Sequence, residues 1–218
     1  MSDTLEAREQ VVDLCLHLVR RGFFAATGGN LALRLDAERI AVTPSALDYY
    51  QMGAEDVCIL RLADLHQLEG DRAPSVETGL HARVLRRFPA AGCSLHTHQP
   101  LASACTLLGE ALSVDDPERW PELGRRLPLV GYAPSGTGWL ARRLDRALSA
   151  ESPAYLLRNH GVLCYGASAR QTLAVLEQLE AFCEHYLVGR IASRPGVSAA
   201  DSLARQRLLT TLTASLPS

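Results

Sequence analysis

Pro89-Ala90-Ala91-Gly92-Cys93-Ser94-Leu95-His96-Thr97-His98-Gln99-Pro100 is the stretch on which the fold turns. Pro89 stops a helical pattern, because proline has no N–H for the helical ladder and its ring collides with the preceding turn. Cys93 to His98 reads as a strand. Pro100 opens the next helix at a first-turn position, where its fixed φ fits and its missing donor costs nothing. Upstream, Ser75-Val76-Glu77 precedes a helix running to Phe88, with Leu80, Val84 and Leu85 on one face.

Farther toward the N-terminus, apolar residues at 5, 11, 12, 15, 16 and 19 have helical spacing, and Gly22 ends that helix. Leu31 to Leu35 alternates as a strand, followed by the apolar runs Ile40–Thr43 and Val57–Leu60 and a strand end and turn at His66–Gly70. Downstream, residues 109–126 carry two prolines and both signs of charge, and read as a loop or short irregular helix. Leu127–Val130 is a short strand and Gly138–Leu148 a helix. Ala154–Arg158 and Gly161–Gly166 are extended segments bracketing Asn159-His160. A long helix follows from Ser168, with Leu173, Leu176, Leu179, Cys183 and Leu187 in one stripe. Strands interspersed with helices predict an α/β fold with a central sheet covered on both faces. The early strands follow one another without helices, so that sheet is expected to be mostly antiparallel or mixed. No linker, repeat or low-complexity segment divides the chain, which is read as one domain over residues 1–218.

With 22 basic and 24 acidic residues in 218, the chain offers no electrostatic footprint for nucleic acid or an anionic membrane. All 22 basic residues are Arg. Without a Lys amine a Schiff-base mechanism is excluded, and so is the Walker phosphate loop. No run approaches the roughly 18 apolar residues of a membrane span, and the polar N-terminus does not read as a signal peptide. The six Cys include no C-x-x-C pair and sit mostly in apolar runs, so buried reduced thiols are expected. A cytoplasmic location follows as the expectation.

Four elements carry chemistry. In His96-Thr97-His98 the two imidazoles share one strand face and can chelate a metal ion, although such a pair also occurs as a surface feature. Zn²⁺ at a catalytic site usually takes three protein ligands, and His160, in Arg158-Asn159-His160-Gly161, is the best third donor. His17 and His185 lie in helical patterns, His66 by a turn, and His81 on a helix where it could face solvent. Glu77 is either an N-terminal helix charge with Ser75 as cap or an acid/base beside the metal. Thr27-Gly28-Gly29-Asn30 and Thr43-Pro44-Ser45-Ala46 are either ordinary turns or a backbone nest for a phosphate.

As a set, Thr27-Gly28-Gly29-Asn30-Leu31, Thr43-Pro44-Ser45, Pro74-Ser75-Val76-Glu77, His96-Thr97-His98 and Arg158-Asn159-His160-Gly161-Val162 resemble the class II aldolase/adducin-head family. Fuculose-phosphate and rhamnulose-phosphate aldolases, ribulose-phosphate 4-epimerases and methylthioribulose-phosphate dehydratases belong to it. The resemblance spans residues 8–190, with Glu77 19 residues before His96 and His160 62 after His98. It implies a three-layer α/β/α sandwich with a mostly antiparallel sheet, in a homotetramer with active sites at subunit interfaces. It implies one Zn²⁺ per subunit on His96, His98 and His160, Glu77 as acid/base, and a phosphate pocket from Gly28, Gly29, Asn30, Ser45, Ala46 and Ser75. The reaction it implies is retro-aldol cleavage of a ketose 1-phosphate, such as a 5-deoxy- or 5-methylthio-pentulose 1-phosphate, to dihydroxyacetone phosphate and an aldehyde through a metal-stabilised enediolate. The alternative is methylthioribulose-1-phosphate dehydratase.

The chain departs from the family pattern in places. Ala46 stands where Gly is frequent. Residues 101–129 contain no Tyr, whereas the fuculose-phosphate type has a catalytic one there, and the tail Thr213–Ser218 has no aromatic residue. Glu77 replaces the Asp usual in the epimerases. Glu118 and Glu122 fall where the dehydratases place an extra acid, which keeps that branch open, while Val130–Thr137 is more similar to the aldolases.

Overall fold

The computed structural model describes residues 3–24, 28–194 and 199–214; Thr27 and the tail side chains from Thr213 onward lie outside the described residues. Helix α1 (Asp3–Arg20) leads into a meander of β1 (Asn30–Arg34), β2 (Arg39–Val42), β3 (Cys58–Arg61) and β4 (Gln67–Glu69). Then come α2 (Thr78–Arg87), β5 (Cys93–Thr97), α3 (Pro100–Thr106), β6 (Leu112–Ser113), α4 (Trp120–Leu123), β7 (Arg126–Leu127) and β8 (Leu129–Val130). The chain continues through α5 (Gly138–Ala147), β9 (Ala154–Leu157), β10 (Gly161–Gly166), α6 (Ala169–Ala192) and α7 (Ala199–Ala214).

Among the described residues, eight strands form one sheet in the order β4-β3-β2-β1-β5-β10-β9-β8. Only β8–β9 is parallel; the other neighbours run antiparallel. The alternation along each strand sorts side chains to two faces. Leu31, Leu33, Leu95, Val162 and Cys164 meet α1 and α6 on one side, whereas Ala32, Ile40, Leu163 and Tyr165 meet α2 and α5 on the other. The result is the expected three-layer α/β/α arrangement with a mostly antiparallel sheet.

Local signals explain several boundaries. Gly22 has φ 70° just past α1, a conformation glycine adopts without steric cost. The Ser168 side chain accepts from Gln171 N and caps α6, and Thr137 caps α5 in the same way. The long stripe on α6 buries Leu176, Leu179 and Cys183, each full burial of a Leu-sized side chain contributing about 1.5–3 kcal/mol. Glu180 on α6 accepts from Leu101 N at 2.8 Å and Ala102 N at 2.9 Å, which pins the start of α3 just beyond His98. All six cysteines are buried and free, and burial raises the Cys93 thiol to about 12.

Residues 109–126 are more ordered than expected. The two-stranded β6–β7 ribbon closes them, α4 lies between its strands, and Trp120 Nε1–H donates to Val114 O at 2.7 Å. Helix α7 has no counterpart in the sequence pattern; with Leu203 and Leu208 exposed it shows no single apolar stripe for periodicity to detect.

Candidate active site

Three strand ends meet at one edge of the sheet. Asn30 opens β1 and pairs in register with His96 on β5, while Gly161 opens β10 beside Thr97 and His98. His96 shares its face with Leu163, the side covered by α2, so the N-terminus of α2 delivers Glu77 above the same edge. Asn159 takes φ 55° between β9 and β10, and this tight reversal turns His160 toward the other two histidines.

Ligating atoms of Glu77, His96, His98 and His160 all lie within 4.8 Å of one another. The Nε2 atoms of His96 and His98 are 2.9 Å apart. Glu77 Oε2 lies 3.1 Å from His96 Nε2, and Oε1 3.3 Å from His160 Nε2. His96 is 0% exposed and Glu77 6%, while His98 faces solvent, so the site is a well open on the His98 side.

The donor set fits a divalent cation. His96 Nδ1–H donates to Val162 O at 2.8 Å, which fixes the ring with Nε2 turned toward Glu77 and His98. That nitrogen faces a carboxylate oxygen and a second imidazole nitrogen, a set of nitrogen and oxygen atoms suited to sharing one cation. Burial, then repulsion from His96 and His160, pushes His98 down to about 4; burial, then His96, lowers His160 too. Neutral imidazoles are the form that ligates a metal.

Glu77 is the N-cap of α2, yet its side chain makes no cap hydrogen bond. Between the two readings of Glu77, this favours a carboxylate directed at the histidines over a helix-end charge. It accepts from Asn30 Nδ2 at 3.1 Å and from Ser135 Oγ–H at 2.8 Å. Burial alone raises its pKa, but the contacts with His96, Ser135 and His160 outweigh that and hold the carboxyl well below its usual range. Ser135 escaped the sequence reading because nothing local distinguishes it in the loop before α5.

Two segments expected at the phosphate, residues 43–46 and 73–75, are tied to one another. Thr43 Oγ1 accepts from Leu31 N at 3.2 Å, and Ser75 N donates to Thr43 O at 3.0 Å, which joins the 43–46 turn to residues 73–75. Gly29 has φ 91°, Ser45 is half-buried, and Ala46 takes φ 53° in an exposed turn. The Ser75 hydroxyl accepts from Glu77 N at 3.3 Å, so it organises the approach to α2 from two residues before the helix cap.

One expectation fails. His81 is completely buried and does not face solvent. Its Nε2 lies 2.7 Å from Asn30 Oδ1 and its Nδ1 2.8 Å from Ser94 Oγ. Its position four residues after Glu77 and three before the buried Val84 was the available signal. His17, His66 and His185 are exposed and stand apart from the cluster. The middle-segment acids do not join it either. Asp115, Asp116 and Glu118 are exposed, and Asp116 caps a local turn through Glu118 N. Glu122 lines a cleft with Phe88 and Gly166, about 17 Å along β10 from Gly161 at 3.4 Å per residue.

The Class II Aldolase and Adducin N-terminal domain family matches residues 9–187. The chain belongs to this family. Methylthioribulose-1-phosphate dehydratase of Pectobacterium carotovorum is 33% identical over 177 residues, covering 76% of this chain and 86% of that protein. A 5-deoxy-D-ribulose 1-phosphate aldolase of Bacillus thuringiensis is 29% identical over 199 residues, covering 90% of this chain and 91% of that one. Among solved structures, an L-fuculose 1-phosphate aldolase superposes with a TM-score of 0.81 at 22% identity over 95% of this chain and 96% of its own, a likeness of fold. This class II aldolase-family enzyme thus has relatives named for two reactions of pentulose 1-phosphates, carbon–carbon cleavage and loss of water. Among the described residues, no helix is long and apolar enough to cross a membrane.

Proposed function

We propose that this protein is a zinc-dependent aldolase that cleaves a ketose 1-phosphate, a 5-deoxy- or 5-methylthio-pentulose 1-phosphate being the favoured substrate, to dihydroxyacetone phosphate and an aldehyde. The observation that carries the reading is the approach of a buried carboxylate, Glu77, to two of three convergent imidazoles in a chain without Lys. His96, His98 and His160 would hold one Zn²⁺ per subunit. When bound, the ion acts as a Lewis acid that draws electron density from the ketose carbonyl.

The other steps belong to this chain's residues. The hydroxyls of Ser45 and Ser75 and the backbone of Gly28, Gly29, Asn30 and Ala46 bind the phosphate and set the register of the sugar, the kind of positioning that lowers a barrier before any bond breaks. As the C3–C4 bond breaks, its electron pair passes to C3. Glu77 carries the proton that completes C3 as the hydroxymethyl carbon of dihydroxyacetone phosphate. In the condensing direction the ionised Glu77 removes that same proton, and its hydrogen bonds favour this ionised form. The C4 hydroxyl proton passes to water at the open His98 side.

The second reading is methylthioribulose-1-phosphate dehydratase, favoured by the name of the 33% identical relative. Expelling hydroxide needs a second acid, and the exposure of Glu118 and the distance of Glu122 along β10 support cleavage instead. Incubation with ribulose 1-phosphate and its 5-deoxy and 5-methylthio forms tests this, with products followed by mass and by coupled glycerol-phosphate dehydrogenase. Dihydroxyacetone phosphate with the matching aldehyde is the expected outcome; a product lighter by one water, without dihydroxyacetone phosphate, establishes the dehydratase. We further propose a cytoplasmic homotetramer with sites at subunit interfaces. Light scattering that returned the protomer mass of 23.7 kDa at micromolar concentration would contradict it.

A further inference from the structure

We propose that His81 is a positioning residue that fixes the direction of the Asn30 amide and thereby aims Glu77. The proposal rests on the reading of Glu77 as the proton carrier. Four groups form a chain: Ser94 Oγ, 2.8 Å from His81 Nδ1; His81 Nε2, 2.7 Å from Asn30 Oδ1; and Asn30 Nδ2, 3.1 Å from Glu77 Oε2. All four side chains are buried.

The direction of each bond follows from the last. An ionised carboxylate only accepts, so the Asn30 amide nitrogen donates to it. Oδ1 of Asn30 then faces His81 and must accept, which places the proton on Nε2. A neutral imidazole with Nε2–H has its lone pair on Nδ1, and the Ser94 hydroxyl donates there. The two ends of an Asn amide have nearly the same shape, so hydrogen-bond partners alone choose its orientation. Reversing the amide would set its carbonyl against the carboxylate and its N–H₂ against the Nε2–H. With its proton on Nε2, His81 opposes that reversal from the side away from the carboxylate. Ser94 lies two residues before His96 on β5, so the strand that presents the innermost imidazole also fixes the carboxylate beside it.

Nitrogen NMR of the ¹⁵N-histidine-labelled protein reads the tautomer directly. His81 is expected as the Nε2–H form, and the Nδ1–H form overturns the proposal. His81→Phe keeps the ring volume and removes both polar atoms. It should lower kcat by roughly 10–100-fold, the usual weight of an outer hydrogen-bond partner, with bound metal retained and KM little changed. His81→Gln can donate to Asn30 and accept from Ser94, and should recover most of kcat. Full kcat in a folded His81→Phe variant overturns the proposal, as does a loss of kcat that only follows a loss of metal. If His81→Phe does not fold, His81→Gln and the wild-type tautomer decide. The tautomer is readable even if no ketose phosphate is turned over, and that failure would remove only the reaction assignment.

Discussion

Gly161 packs against the edge of the His98 ring so closely that a Cβ would overlap His98 Cδ2 and the Thr97 carbonyl oxygen, and would stand 3.3 Å from His96 Cε1. Two of the three imidazoles thus depend on a missing side chain at the start of β10. Gly161→Ala must displace either the ring or the β5 backbone. The expected result is a folded protein, destabilised by about 1–3 kcal/mol as for other overpacked sites, that fails to retain metal on dialysis. Metal content equal to wild type would show that the ring has room to move.

Glu77→Gln keeps the shape of the side chain and removes its ability to carry a proton. Metal should remain bound, and turnover should fall by roughly 10²–10⁴. Solvent exchange of the carbon-bound proton of dihydroxyacetone phosphate should stop as well. Near-normal exchange in the variant would leave Glu77 with only its place at the start of α2.

Stripping the metal with a chelator should abolish activity, and Zn²⁺ should restore it. His96→Ala should lose the ion, since its Nε2 faces both His98 and Glu77. His66→Ala and His185→Ala alter exposed side chains outside the cluster and should keep it. Elemental analysis of the purified variants separates these outcomes.

Acid should weaken the fold through His81. Burial, reinforced by repulsion from His96, lowers its pKa to about 3, below the usual value near 6.5 of the unfolded chain. Between those values the unfolded state holds the extra proton, so stability is complete above about pH 6.5 and falls as pH drops toward 3. The slope is about 1.4 kcal/mol per pH unit for one proton. In metal-free protein, His81→Gln should flatten the denaturation profile between pH 4 and 6 by about one proton; an unchanged slope would mean that His81 does not titrate in this way.

Much of the site was legible because its residues lie in short local patterns. The i, i+2 spacing of His96 and His98 placed both rings on one side, and Asn159-His160-Gly161 between two apolar runs marked a tight reversal. The misreading of His81 has a definite cause. The apolar stripe of α2 does not reveal what its polar residues touch, and a polar residue on the buried face reads as solvent-facing until its partners are known. Those partners, Asn30 and Ser94, are 51 and 13 residues away. Ser135, 58 residues from Glu77, was hidden in the same way.

By itself, then, the sequence determined the helices and strands outside residues 109–126 and α7, the exclusion of Schiff-base chemistry and the choice of the three histidines that converge with Glu77. Backbone periodicity and proline and glycine sterics act over a few residues, and composition needs no coordinates at all. Only the tertiary structure decided which oxygen of Glu77 meets which imidazole, that His81 backs Asn30, and that Glu122 lies at the far end of β10. These depend on the antiparallel register of β1, β5 and β10 and on the seating of α2 over them. Register is set by the packing of two whole sheet faces, a property of distant residues acting together.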